Sequence, residues 1–323
     1  MNLNQTQKAI LRNLLVNGTS SRAKLSSFLS LTAAALTLAL KPLLSEGMVK
    51  EEKGEDKSRS GRKEMILSLN PSYASFAGID IRKHHAYFSR ADFSGNVFFS
   101  SSDEEMPLSD FLESCGESLL SIGVTVRGDA SEESFASRYP SEKAALDQKG
   151  VPYFVDNNVD CLSSIYSLFH PESRNFLMVK YGPGVGSAIQ VNGKRILRPS
   201  ELGHTLFQGK SVEEAICYLS LLGEEKEEKE GTLLLLEDES KLDLIAKTLS
   251  FALYNADALL SLQKIVLAGS LLTSGAMQKK LRACLAEFDP SFDEGKLCSY
   301  PDYESCNERK GAIGAFLWTF RDN

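Results

Sequence analysis

Four cations, Lys57, Arg59, Arg62 and Lys63, stand within seven residues of a stretch that holds no large apolar side chain. Cations at that density on a polar loop suit contact with a polyanion, each head group meeting a phosphate. Upstream, Thr32, Thr37 and Lys41 are the polar positions of one apolar stretch and offer hydroxyls and an ammonium that could reach base edges. Elsewhere, ELGH sets Glu201 and His204 three residues apart, so a single turn could aim a carboxylate and an imidazole at one ligand.

These residues need elements to carry them. In QTQKAILRNLLVNG, Ile10, Leu11, Leu14 and Leu15 share one helical face and Gly18 supplies a stop. Ser21 can cap a second helix, RAKLSSFL, and Thr32 a third, AAALTLALKPLL. Three helices with a tight turn between the last two make a helix-turn-helix. EGMVKEE and KEMILSLNP then read as two strands flanking the cationic loop, which becomes a wing. The third helix of such a winged helix lies in the major groove of DNA and the wing reaches phosphates. Its reading face is thin, because Ala33, Ala34 and Ala35 stand at its start, and Pro42 removes a backbone donor near its end. A winged helix kept for protein contacts is the alternative.

Charge follows the same division. Residues 1–70 hold 11 Lys and Arg against 6 Asp and Glu, a net +5 in a chain of net −7, which leaves −12 on the remainder. The longest apolar run, LTAAALTLAL, is too short for a bilayer span, and MNLNQTQKAI lacks a signal-peptide core, so a cytoplasmic protein is expected. Six cysteines, at 115, 161, 217, 284, 298 and 306, form no Cys-x-x-Cys pair, which indicates neither disulfides nor a zinc knuckle.

Beyond residue 70 strands and helices alternate. FAGIDI, HAYFSRA, NVFFSS, SIGVTV, PYFVD, FLMVKYG, GSAIQVNG and KIVLAG read as strands. PLSDFLESCGESLL, DCLSSIYSLF, SVEEAICYLSLLG and ESKLDLIAKTLSFALYNADALLSL read as helices, and GEEKEEKEG as a solvated turn or helix end. Mixed sheets covered by helices are expected.

The order of segments resembles the ROK family, whose name joins repressors, open reading frames and kinases. SRAKLSSFLSLTAAALTLALKPLLSEGMV with GRKEMILSLNP looks like the head of its regulators. GIDI, SIGVTVRGD, FVDNNVDCL, YGPGVGSAIQVNGK, ELGH, KIVLAGSLL and KGAIGAF follow in the order of the family's body motifs. The resemblance implies an α/β chain with a winged helix-turn-helix at 1–70 and an actin-like (ribonuclease H-like) two-lobed sugar-kinase fold at 71–323. It further implies double-stranded DNA as partner, a homodimer, and sugar contacts at Asn157, Asn158, Glu201 and His204.

Three departures bear on catalysis. Where the kinases carry Asp-x-Gly-Gly-Thr, this chain has Asp80, Ile81, Arg82, Lys83 and His84, so bulk replaces the close backbone approach that glycine permits. Gly-Thr-Gly becomes Gly182, Pro183, Gly184, and the family's general-base Asp becomes Asn158, which has no basic pKa. Arg82 and Lys83 read as a solvated turn. The family's zinc site would need a cysteine cluster after His204, where only Cys217 stands. The expectation is a regulator of sugar genes, catalytically inactive and without metal or cofactor. A sugar kinase with an appended DNA-binding head, and a winged-helix protein acting through protein contacts alone, are the alternatives.

Overall fold

A computed structural model describes residues 3–54, 64–83, 85–196 and 201–321. The chain divides into two compact units, Met1–Asp156 with Glu308–Asn323, and Asn157–Asn307.

The first unit begins with the head. Helix α1 (Gln5–Asn17) starts in an Asn4–Gln7 capping box and ends at Gly18, whose φ of 68° suits glycine. Strand β1 (Thr19–Ser21), helix α2 (Arg22–Phe28) and helix α3 (Ala33–Ser45) follow, with Ser21 and Thr32 as the caps. The axes of α2 and α3 diverge by 110°, a helix-turn-helix angle. Strands β2 (Val49–Lys53) and β3 (Met65–Leu69) are antiparallel, and β1 adds to β3, giving the order β1-β3-β2. Strand β1 has three residues, too few to show a period, and is absent from the sequence reading. Ile10, Leu11 and Leu14 of α1 and Leu36, Leu40 and Leu43 of α3 are fully buried with Leu67.

The rest of this unit is one lobe: β4 (Ser75–Ile81), β5 (Ala86–Asp92), β6 (Val97–Ser102), α4 (Leu108–Ser114), β7 (Leu119–Val126), α5 (Glu132–Arg138), α6 (Pro140–Lys149) and β8 (Tyr153–Asn157). Its sheet runs β6-β5-β4-β7-β8, antiparallel from β4 to β6 and parallel from β4 to β7. Helix α4 is shorter than PLSDFLESCGESLL suggests. Gly116 adopts φ 66° and Leu119 already belongs to β7.

The second unit holds α7 (Asn158–Phe169), β9 (Phe176–Tyr181), β10 (Val185–Val191), β11 (Lys194–Arg195), a 3-10 turn (Leu202–His204), β12 (Leu206–Phe207), β13 (Lys210–Ser211), α8 (Val212–Ile216), α9 (Tyr218–Leu222), α10 (Glu228–Leu236), α11 (Glu239–Leu260), β14 (Lys264–Ala268), α12 (Gly275–Phe288) and β15 (Leu297–Ser299). Its sheet runs β11-β10-β9-β14-β15. With strands counted within each five-stranded sheet, both have the order 3-2-1-4-5 and the same antiparallel start, the ribonuclease H-like arrangement. SVEEAICYLSLLG is two helices, not one, because Cys217 is extended at ψ 160°.

The closing helix α13 (Tyr303–Thr319) lies against the first lobe through its later residues. A Cβ on Gly123 would come within 2.1 Å of the Gly311 carbonyl oxygen, and one on Gly78 within 2.4 Å of the Ala312 nitrogen. Glycine at 78, 123 and 311 therefore lets helix backbone touch sheet backbone. Phe76, Phe93, Phe316 and Phe320 stack around that contact with centroid separations of 4.8–6.4 Å. No single helix among the described residues is long and apolar enough to cross a membrane.

Gly123→Ala should destabilise the chain by more than the roughly 1–3 kcal/mol of ordinary overpacking, because a carbonyl in a packed helix cannot yield. Gly275→Ala, where an added Cβ meets nothing within 4 Å, should leave the melting temperature unchanged or raise it. Thermal denaturation of the two variants checks the pair.

Candidate functional site

On α3 the buried side is Leu36, Ala39, Leu40 and Leu43, which turns Thr32, Ala33, Ala34, Thr37, Leu38 and Lys41 outward. Thr32 Oγ1 accepts the Ala35 N–H at 3.2 Å, and the Thr37 hydroxyl donates to the Ala33 carbonyl at 2.8 Å. Both threonines thus serve their own helix first. Arg22, at the start of α2, makes a two-pronged pair with Glu51 of β2 at 2.5 and 2.9 Å. The hydrogen bond and charge of Arg22 hold the Glu51 carboxyl below its usual range. Lys57, Arg59, Arg62 and Lys63 lie outside the described residues.

The β4–β5 turn is not simply solvated. Asp80 is buried and receives Lys310 Nζ at 2.6 Å, Arg82 Nε at 3.0 Å and the Thr125 hydroxyl at 2.7 Å. Burial opposes ionisation of Asp80, but the charges of Lys310 and Arg82 with these hydrogen bonds outweigh it, and its pKa falls well below the usual carboxylate range. Arg82 also lies 4.1 Å over the Tyr87 ring. The expectation of a solvated Arg82 therefore fails, because its guanidinium is held between the Asp80 carboxylate and the Tyr87 ring. His84 is outside the described residues.

In the second unit the predicted sugar ligands fall on two segments that meet the same strand. Asn157 caps α7, its Oδ1 accepting the N–H groups of Val159 at 2.8 Å and Asp160 at 3.3 Å, and Asn158 is the first residue of that helix. Val159 packs on Gly186 of β10 so closely that a Cβ there would lie 2.6 Å from its Cγ2. At the next residue, Ser187 Oγ accepts the Leu202 N–H at 3.0 Å, which anchors the 3-10 turn of ELGH. Glu201 and His204 pair with each other through Oε2 and Nδ1 and remain largely exposed.

Two carboxylates that the sequence did not single out lie on the glycine turns. Glu213 of α8 accepts the Val185 N–H at 3.0 Å, closing the turn of Gly182, Pro183 and Gly184. Glu228, the first residue of α10, accepts the Ser270 N–H at 2.9 Å and its hydroxyl at 3.1 Å, just after Gly269. Lys180 Nζ at 2.9 Å and the Tyr303 hydroxyl at 3.0 Å complete its shell. Glu228 reaches this place because Gly231, one turn on, lets α10 ride on the Tyr218 ring, where a Cβ would meet a ring carbon at 2.2 Å. GEEKEEKEG therefore hides a buried carboxylate, which its solvated composition concealed.

Burial would raise the Glu228 pKa, yet the Lys180 charge and the bonds from Lys180, Ser270 and Tyr303 bring it down from 4.5 to about 2. Carboxylates thus accept backbone N–H groups at both of these turns. The open cleft beside Tyr303, about 580 Å³ in volume, is lined by Thr273, Tyr300, Asp302 and Glu304. Among the described residues no three His, Cys, Asp or Glu converge, and Cys217 Sγ lies 3.3 Å from Ser220 Oγ.

Because Glu228 has a lower pKa folded than unfolded, its contribution is present above about pH 4.5 and is lost as pH falls toward 2. Glu228→Gln, which strands Lys180, should cost about 3 kcal/mol at neutral pH. In urea denaturation the gap between variant and parent should narrow below pH 4.5.

No family model matches the chain. It is 24% identical over 246 residues to the xylose repressor of Caldicellulosiruptor bescii, covering 66% of this chain and 61% of that protein. It is 24% identical over 218 residues to the xylose repressor of Bacillus subtilis, covering 58% and 55%. The chain thus spans about three fifths of the length of the curated relatives it matches. Among solved structures, a ROK family transcriptional regulator, homologue of the E. coli Mlc protein, superposes with a TM-score of 0.70 at 14% identity over 98% of both chains. A ROK hexokinase of Thermus thermophilus gives 0.59 at 14% identity, over 76% of this chain and 99% of the enzyme. The part of this chain that the hexokinase leaves uncovered matches the head in size. The chain therefore has the fold of these ROK structures, a helix-turn-helix head ahead of a two-lobed sugar-kinase-like body.

Proposed function

We propose that the chain is a DNA-binding transcriptional regulator, a repressor of sugar genes, whose body senses a sugar and performs no phosphoryl transfer. The observation that carries this reading is the pairing of a complete helix-turn-helix with glycine turns whose N–H groups are taken by Glu213 and Glu228. Both carboxylates carry the charge sign of a phosphate and already satisfy the donors that a phosphate would use. Asn158 adds that no general base stands at the position the resemblance assigns to one. The repressor relatives support the same reading, on which the chain acts in the cytoplasm as a two-fold dimer, with its DNA-binding part at 1–70 and its sensing part at 71–323.

On this reading Lys41 and the wing cations Lys57, Arg59, Arg62 and Lys63 hold phosphates, while Thr32 and Thr37 approach the bases. Asn157, Asn158, Glu201 and His204 line the sugar site, and xylose is the first sugar to test because the relatives are xylose repressors.

Electrophoretic retardation should show duplex binding that weakens steeply with salt, each phosphate contact contributing about 0.9 to the log-log slope. Arg59→Ala with Arg62→Ala should weaken binding to all sequences and flatten that slope. Failure to retard any duplex at low salt removes the regulator reading.

Incubation with ATP, magnesium and a panel of sugars should give no sugar phosphate, and Asn158→Asp should not restore turnover. A sugar that binds only the folded chain should stabilise it by about 2.7 kcal/mol at a hundredfold excess over Kd. That shift should vanish in Glu201→Gln and His204→Ala, and its persistence in both would take these residues out of the site.

A further inference from the structure

The outward face of α3 carries an unusual set of groups for a helix that meets DNA. Ala33, Ala34, Thr37, Leu38 and Lys41 form one stripe, in which Lys41 is the sole charged side chain and Leu38 is 73% exposed. The proton of the Thr37 hydroxyl is committed to the Ala33 carbonyl and its oxygen accepts Arg22 Nη1 at 3.5 Å, the guanidinium itself being held by Glu51, which leaves Thr37 chiefly its methyl. The stripe therefore offers methyl groups and hardly any hydrogen-bond donors. Hydrogen-bond readout of guanine or adenine needs Arg, Lys, Asn or Gln in forked geometry, and none but Lys41 is present.

In the major groove each base edge is polar except one feature, the C5-methyl of thymine, which apolar side chains contact. Two alanines at the start of the helix let its backbone sit close to that edge. Leu38, one turn further on, is long enough to reach a neighbouring step. We infer that, given the DNA-binding reading above, α3 selects its operator by apolar contact with thymine methyls, through Ala33, Ala34 and Leu38, with Lys41 as a phosphate anchor.

A protein partner is a poorer occupant of the stripe. Interface anchors are mostly Trp, Tyr and Arg seated in pockets, whereas this stripe is built from alanines and a single leucine. It also belongs to a head of net +5 in a chain of net −7, the sign that complements a polyanion.

Deoxyuridine tests the inference directly, since it removes only the methyl and keeps each hydrogen-bonding group of the thymine edge. The full chain is first used to select duplexes from a random pool by retardation. An enriched duplex is then made twice, with thymine and with uracil. The thymine form should bind more tightly by about fourfold for each contacted methyl, the worth of burying one such group. Leu38→Ser should narrow the thymine-to-uracil ratio, and Ala34→Ser should do so independently if the first variant folds poorly. Lys41→Ala should weaken both forms equally. Equal binding of the two duplexes by the parent chain overturns the inference while leaving the regulator reading in place. Leu38→Ser that keeps the full ratio but dissociates a dimer also overturns it and assigns the stripe to contact between chains. No enrichment of any duplex sinks both the inference and the regulator reading.

Discussion

Each lobe carries a charge at the same place in its sheet, buried at Asp80 and partly buried at Lys180, and each is neutralised from another element. In the first lobe Asp80 is the penultimate residue of the central strand β4; in the second Lys180 is the penultimate residue of the central strand β9. Asp80 meets Lys310 and Arg82, and Lys180 meets Glu228. An uncompensated charge at either depth would cost several kcal/mol, so these partners restrict what can approach the strand end. The opposite signs mean that the two lobes, alike in strand order, solve the same problem with inverted charge.

That constraint links packing to function. Lys310 can reach Asp80 only because glycines at 78, 123 and 311 bring α13 onto the sheet, backbone against backbone. Glu228 can reach Lys180 only because Gly231 admits the Tyr218 ring. The carboxylate that neutralises Lys180 also accepts the Ser270 N–H, so charge compensation and occupation of the turn are one event. A body held this way keeps the kinase-like fold while carboxylates of its own chain accept the N–H groups at its glycine turns.

The head follows a different rule. Its core is mostly leucine and isoleucine, its polar contacts include caps and the Arg22–Glu51 pair, and α3 turns apolar groups outward. On the proposed DNA-binding reading, affinity from cations and preference from methyls are separable on such a surface, because Coulombic contacts ignore sequence and apolar contacts do not.

Much of this was legible in the sequence. Helical spacing of Ile10, Leu11, Leu14 and Leu15, caps at Ser21 and Thr32, and strand-like runs such as FAGIDI and KIVLAG are local signals, and the elements formed where they point. The ROK resemblance likewise rests on motif order, which a linear chain displays. Local pattern failed where tertiary contact decides. Strand β1 exists only by pairing with β3, and α4 stops early because Leu119 joins a sheet. The duplicated 3-2-1-4-5 order leaves no short repeat, because it is a matter of strand pairing and not of residue identity. Composition misled most at Glu228 and Arg82. A charged side chain in a charged or exposed-looking run reads as solvated, and only the fold reveals that a partner 48 residues away, or a neighbouring buried Asp80, has drawn it inside.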